Sequence, residues 1–329
     1  MKTRRLIGFC CLAAVLVLTL RKAGAEAPLA STNAPAKSSA KGTSAPALGS
    51  PGNSLPEDPA RLVREVVYNE LHDHDMHGYW RYWIEHHSSK ETRVEEQVET
   101  PDGPITLVKM SNGQPLSADA LTDEDRRLEH LLGSPAEQVQ HRKAYADDEH
   151  RIGRILALLP DAFLYEPAQQ QLMSEVQCYH LRFRPNPGYP AHSIESRIFH
   201  AMSGDLWIGV DSKRLVRLDG KLQENVDFGF GILGRLYKDG WFRLERTHVS
   251  AGASGGAGTG DWKTQRLEVH MIGRAMLFKT IARETSEVRG GFTPVPSGLS
   301  LQQAVTLIRQ QGYNYGALSA QPAMLITSH

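Results

Sequence analysis

The sequence predicts an α+β protein built on one antiparallel sheet of about eleven strands, with an N-terminal helix, two inserted helices and a C-terminal helix. Three observations lead there. Apolar and polar residues alternate with period two through most of the chain after Asp161, the pattern of half-buried strands. The stretches joining these runs are too short for parallel crossovers, which need a dozen or more residues. Helical periodicity with capping residues interrupts the alternation at only four places.

The first helix is expected to start at Asp58-Pro59, a good N-cap followed by proline at the first helical position. Leu62, Val63, Val66, Val67 and Leu71 then mark one face. Extended runs at residues 79 to 86, 92 to 100 and 105 to 110 read as a meander, with Pro101-Asp102-Gly103 as the second turn. Thr122 is read as capping a helix closed by Gly133. Ser134 and Glu137 form the capping box of the next, which is apolar at Ile152, Ile155, Leu156 and Leu159 and is expected to stop at Pro160. Alternating sets follow: Tyr179, Leu181 and Phe183; Leu206, Ile208 and Val210; Val216, Leu218 and Leu222; Phe242 and Leu244; Leu267, Val269 and Met271; Met276 and Phe278. Ser300 and Gln303 box the last helix, whose stripe is Leu301, Ala304, Val305 and Ile308, ending near Gly312. No motif recurs at a fixed period, which argues against a repeat array.

Of 329 residues, 40% are hydrophobic and 22% charged, enough for a real core and unlike a disordered polymer. Residues 1 to 25 read as a secretory leader: basic at Lys2, Arg4 and Arg5, apolar from Leu6 to Leu20, and small at Ala23-Gly24-Ala25. The expected location is therefore periplasmic or secreted, after cleavage near Ala25. Without the leader, 32 basic residues face 37 acidic ones, a net of −5, which argues against a nucleic-acid binder. Residues 26 to 58 contain 23 Ala, Pro, Ser, Gly or Thr in 33 and read as a linker. The folded domain is expected over 59 to 312, with a tail over 313 to 329, and no later segment approaches 18 apolar residues. Cys10 and Cys11 fall in the leader, so Cys178 would be the one remaining cysteine. Its alternation with Val176 reads as a packed thiol rather than a nucleophile.

Two glycine motifs lack their structural context. Gly229, Gly231 and Gly234 match G-x-G-x-x-G, but a hairpin sequence rather than a helix follows, so a bend in a strand is the simpler reading. Gly252, Ser254 and Gly256 match G-x-S-x-G inside a run of small residues, which reads as a loop. His72-Asp73-His74-Asp75-Met76-His77 is the strongest chemical candidate, because imidazoles two and three residues apart can share a metal ion. It resembles the H-x-H-x-D-H element of metallo-β-lactamase-like hydrolases at His72, His74 and His77. It departs at Met76, where that family has aspartate, and it follows a helix rather than a buried strand. The competing reading is a solvated helix terminus. Tyr79 and Trp83 fall on one face of the first strand, and Trp80, Tyr82 and Ile84 on the other, so something must cover each face.

The order helix, three strands, two helices, about eight strands, helix resembles the lipoprotein carrier and acceptor fold of LolA, LolB and RseB. Residues 183 to 190 (FRPNPGYP), 204 to 222 (GDLWIGVDSKRLVRLDGKL) and 226 to 234 (VDFGFGILG) look like a group of secreted bacterial proteins without assigned function. The resemblance implies a strongly curved antiparallel sheet, a half-barrel whose cavity holds acyl chains. The expected function is an exported binding or carrier protein for an apolar ligand, with a lipid or lipidated protein as partner, no nucleic acid and no cofactor. The cavity is expected to include Trp80, Tyr82, Ile84, Leu206, Ile208, Phe242, Leu244, Leu267, Val269 and Met271. A metal-dependent hydrolase using His72, His74 and His77, and a module docking an envelope protein, are the alternatives.

Overall fold

Every strand ladder among the described residues is antiparallel. The structure is a computed structural model, and it describes residues 55–72, 78–228, 234–250, 260–275 and 279–310. The chain opens with α1 (Pro59–Leu71), then β1 (Tyr79–Ser88), β2 (Thr92–Val98), β3 (Ile105–Ser111) and β4 (Gln114–Pro115). Helices α2 (Ala118–Gly133) and α3 (Pro135–Ala162) follow, then β5 (Phe163–Tyr165), β6 (Gln169–Met173), β7 (Val176–Pro185) and the short α4 (Ile194–His200). The second half is β8 (Met202–Gly209), β9 (Leu215–Leu222), β10 (Val226–Phe228), β11 (Gly234–Leu236), β12 (Trp241–Ser250), β13 (Gly260–Ala275), β14 (Lys279–Val295) and α5 (Leu301–Arg309).

The strands form one sheet in the order β4-β3-β2-β1-β14-β13-β12-β9-β8-β7-β5, with β6, β10 and β11 beside this path. The path has two ends, β4 and β5, and the sheet is neither closed nor strongly curled. That corrects the half-barrel. Helices bury the apolar surface that curling would have hidden. On one side α1, α3 and α4 cover the large core of β5 and β7 to β13. On the other, α2 and α5 cover Val98, Ile105 and Leu107 of β2 and β3. Gln97 and Val98 are neighbours in β2, so they point to opposite faces.

The caps explain where most helices begin. Asp58 accepts from the backbone N–H of Ala60 at 2.9 Å and of Arg61 at 3.2 Å, with Pro59 in the first turn. Ser300 and Gln303 make both bonds of a capping box, and the stripe Leu301, Ala304, Val305 and Ile308 is buried. Burying a side chain such as Leu301 or Ile308 contributes roughly 1.5–3 kcal/mol. Arg309 then reaches Asp125 at 3.1 Å and Glu129 at 2.9 Å, tying α5 to α2.

Three details differ from expectation. Helix α2 starts at Ala118 under a Ser117 cap; Thr122 lies inside it and bonds back to the Ala118 carbonyl at 2.9 Å. Helix α3 runs two residues past Pro160, because a proline near the C-terminus forfeits only the bond to the carbonyl four residues back. Helix α4 is an unforeseen fifth helix, boxed by Ser193 and Ser196, with buried Ile198 and Phe199. The continuous path of the sheet holds eleven strands, as expected, and among the described residues three short ones, β6, β10 and β11, lie beside it. The leader, residues 26 to 54 of the linker, the tail, Met276 and Phe278 lie outside the described residues.

Gly220 in β9 faces Phe242 of β12, and a Cβ there would sit 2.2 Å from Cε1 of the ring. The missing side chain is therefore a packing requirement. Gly220→Val is expected to lower the thermal midpoint by roughly 2–10 °C, the overpacking cost for a domain of this size, as measured by circular dichroism. An unchanged midpoint would mean that Phe242 moves aside freely.

Candidate functional site

A cavity of about 1010 Å³ lies between α3, the C-terminal end of α1 and strands β1, β2, β12, β13 and β14. The sequence of α3 accounts for it. Of the buried residues in this 28-residue helix, only Asp148 precedes Ile152, so the C-terminal half presses into the core while the N-terminal half stands off the sheet. Ala146, Gly153 and Ala157 are the helix's small residues on the lining, and they keep the space open. The far end of the helix is held by the β2–β3 turn. Gly103 (φ +103°) comes so close that a Cβ would lie 3.0 Å from Tyr145 Cβ.

The wall opposite α3 is mixed. Leu244, Trp262 and Phe292 supply apolar surface, while Tyr82, Gln97, Glu99, Arg246, Lys263 and Arg289 supply polar groups. Lys263 Nζ lies 3.1 Å from Glu99 Oε2, and the Trp80 backbone N–H donates to the same oxygen at 3.0 Å. Tyr82 also bonds to Glu99, and Gln97 Nε2 donates to the Tyr82 hydroxyl oxygen. Burial pushes the Glu99 carboxyl up despite the opposing pull of Lys263. Burial, with Glu99 beside it, also raises the Tyr82 hydroxyl well above the ordinary phenol value. Tyr145, across the cavity on α3, is raised for the same first reason.

Two buried ionic clusters flank the cavity. Glu70, in the last turn of α1, accepts from Arg214 Nε at 3.1 Å, from the Leu215 backbone at 3.2 Å and from Arg246. Burial alone would raise its pKa, but Arg246 and Arg214 outweigh that and hold it below the ordinary carboxylate value. At the other end of β1, His86 lies 2.7 Å from Glu95 and 3.3 Å from Glu287, and Arg289 lies 3.0 Å from Glu287. Burial would lower the imidazole pKa; the bonds from Glu287 and Glu95 reverse that and raise it. Burial likewise works against Glu287, yet His86 and Arg289 bring it down to about 2.

Of the ten apolar positions read from the sequence, Tyr82 and Leu244 line this cavity. Trp80 and Ile84 pack with Tyr82, Val249 and Phe292. Leu206, Ile208, Phe242, Leu267, Val269 and Met271 sit in the large core, covered by helices rather than facing the space. His72 stacks on Tyr68 with ring centroids 4.1 Å apart, and its Nδ1 lies 2.8 Å from the Tyr68 carbonyl oxygen. His74 and His77 lie outside the described residues, as do Gly229, Gly231, Gly252, Ser254 and Gly256. Among the described residues no group of three or more His, Cys, Asp or Glu side chains could hold a metal ion, and no helix is long and apolar enough to cross a membrane. Cys178 is buried against Trp207, Val216 and Trp262, and burial pushes its thiol up to about 11. The polar wall escaped the sequence reading. Its one local signal is Glu95-Glu96-Gln97, charged and polar residues in both phases of a single strand.

No family model matches the chain, and no curated protein does. Among solved structures, the chain is similar to a DUF1329 family protein from Desulfovibrio piger, at 10% identity and a TM-score of 0.26. The match covers 74% of this chain and 95% of that one.

Glu70→Gln is expected to cost about 3–5 kcal/mol, because it leaves two buried guanidinium groups without their carboxylate. Urea unfolding would measure it, and a loss below 1 kcal/mol would show that α1 docks without this ion triad. The His86 cluster gives a pH signature. A raised folded pKa makes the histidine's contribution complete below its ordinary value of 6.5 and lost as pH rises through the folded value. The lowered carboxylates Glu95 and Glu287 contribute above their ordinary 4.5 and lose that contribution as pH falls through their folded values. Stability from the cluster is therefore greatest between about 4.5 and 6.5. Thermal midpoints from pH 5 to 9 should fall on the alkaline side in the native protein and flatten in His86→Gln.

Proposed function

We propose that this chain is an exported binding or carrier protein that takes up an amphipathic molecule, a lipid or the acyl part of a lipidated protein, in the cavity beneath α3. One observation carries the reading: a space of about 1010 Å³ lined on several elements by apolar and aromatic side chains. That volume is at the upper end of the range for small-molecule sites, and largely apolar walls with a few placed polar groups are their usual composition. The apolar part of the ligand lies along Ile152, Leu156, Leu244, Trp262 and Phe292. The leader-like residues 1 to 25 support a periplasmic or secreted location.

Native mass spectrometry of protein made in a lipid-containing host should reveal a co-purifying lipid, and a fluorescent fatty acid should bind to the delipidated protein. Ala157→Trp, which fills the cavity from α3, is expected to weaken that binding at least tenfold while leaving the circular dichroism spectrum unchanged. A protein that carries no lipid and binds no probe would remove the proposal.

A further inference from the structure

Arg154, in the C-terminal half of α3, lines the cavity and is exposed, and among the described residues its guanidinium meets no carboxylate. The helix itself supplies none. The positions three and four residues to either side, its neighbours on the helix surface, hold His150, Arg151, Ala157 and Leu158. The acidic residues just before it are turned elsewhere: Asp147 lies 3.2 Å from Lys143 and Asp148 lies 2.8 Å from Arg151. Glu149, five residues earlier, lies about 140° away around a helix of 3.6 residues per turn. At the adjoining end of α1, Glu70 is already shared by Arg214 and Arg246. Arg142 and Lys143, the other cations of α3 on the lining, face Asp102 and Asp147. The charge of Arg154 is therefore the one on this side of the cavity that no acidic group matches among the described residues.

Its position joins that charge to an apolar surface. Ile152 and Leu156, two residues to either side, are buried and reach the same space as Leu244 and Trp262. A chain lying along these side chains ends beside Arg154, at an exposed position where a charged group keeps part of its hydration. A guanidinium presents its N–H donors in a planar fork that fits the oxygens of a carboxylate or a phosphate. Resting on the binding reading above, we infer that the cavity selects amphiphiles with an anionic headgroup, a carboxylate or a phosphate ester, whose tail lies inside and whose headgroup is held at the mouth by Arg154. His150, one helical turn earlier and also on the lining, adds a ring N–H donor on the same side. Charge then sets which amphiphiles enter, and the apolar wall sets how long a tail is covered.

The test is displacement of an uncharged fluorescent probe, N-phenyl-1-naphthylamine, from the full chain at pH 8 by four competitors with one tail: dodecanoate, dodecyl phosphate, dodecylammonium and dodecanol, each below its micellar concentration. At least one of the two anions is expected to compete about tenfold more strongly than dodecylammonium, the difference made by one charge-assisted hydrogen bond, and the stronger of the two names the headgroup. Arg154→Gln, a change at an exposed position, should weaken that anion about fivefold and leave dodecanol within twofold. Competition by dodecylammonium as strong as that of both anions overturns the inference. So does an Arg154→Gln protein with a native circular dichroism spectrum and unchanged anion binding, since the headgroup is then held elsewhere. The comparison of anion with cation uses the native protein, so it stands even where the variant fails to fold. Failure of the probe to bind, or of all four competitors to displace it, would instead count against the binding reading itself.

Discussion

The contact between Glu70 and the two arginines Arg214 and Arg246 sets the position of everything above the sheet. Leu62, Val63, Val66 and Val67 draw α1 onto the core by apolar burial, and the same stripe carries Glu70 inward, one turn beyond Val66 and Val67. A lone carboxylate there would be strongly destabilising. Arg214, just before β9, and Arg246 in β12 meet it, so the end of α1 is fixed to two neighbouring segments of the sheet at once. Apolar packing alone tolerates sliding, whereas a forked pair of guanidinium groups on one carboxylate has a single geometry. Helix α3 packs beside α1 closely enough that a Cβ on Gly153 would lie 3.4 Å from Leu71 Cδ2. The position of α3, and with it the cavity, inherits that constraint.

The cavity is a consequence of uneven burial along one helix. The C-terminal half of α3 has the apolar residues to join the core and does so. Its N-terminal half carries Arg142 and Lys143 on the rim of the space, paired with Asp102 and Asp147. A helix of this length cannot bend its charged half onto the sheet without desolvating those groups. The gap remains, spanned where the β2–β3 turn reaches Tyr145.

The floor of the gap is unusual for a sheet covered by a helix. On β1, β2 and β14 the face directed to the cavity side bears His86, Glu95, Gln97, Glu287 and Arg289, all in hydrogen-bonded or ionic clusters. Matched charges of this kind add little net stability, because desolvation offsets much of the attraction. They do exclude alternatives: a residue shift in either ladder would turn these charges toward the core of α2 and α5. The result is a wall whose polar groups are held by one another across three strands.

Local physics made much of the chain legible without a structure. Asp58-Pro59, Ser134 and Ser300 mark helix starts because a side-chain oxygen before a helix has one good use, and period-two alternation marks strands because the pleat has period two. The apolar positions from Leu206 to Met271 were recognisable as buried. Whether they were buried under helices or around a ligand depended on what lay across from them, and strand alternation is the same in both cases. The short α4 hid between strands because seven residues give too little periodicity to detect. The openness of the sheet was invisible, since curl depends on how strand twist and helix cover combine over the whole surface. The polar wall was invisible for a simpler reason. Glu99 finds Lys263, and Glu70 finds Arg214 and Arg246, across more than 140 residues of sequence, and only the register of distant strands decides which charges meet.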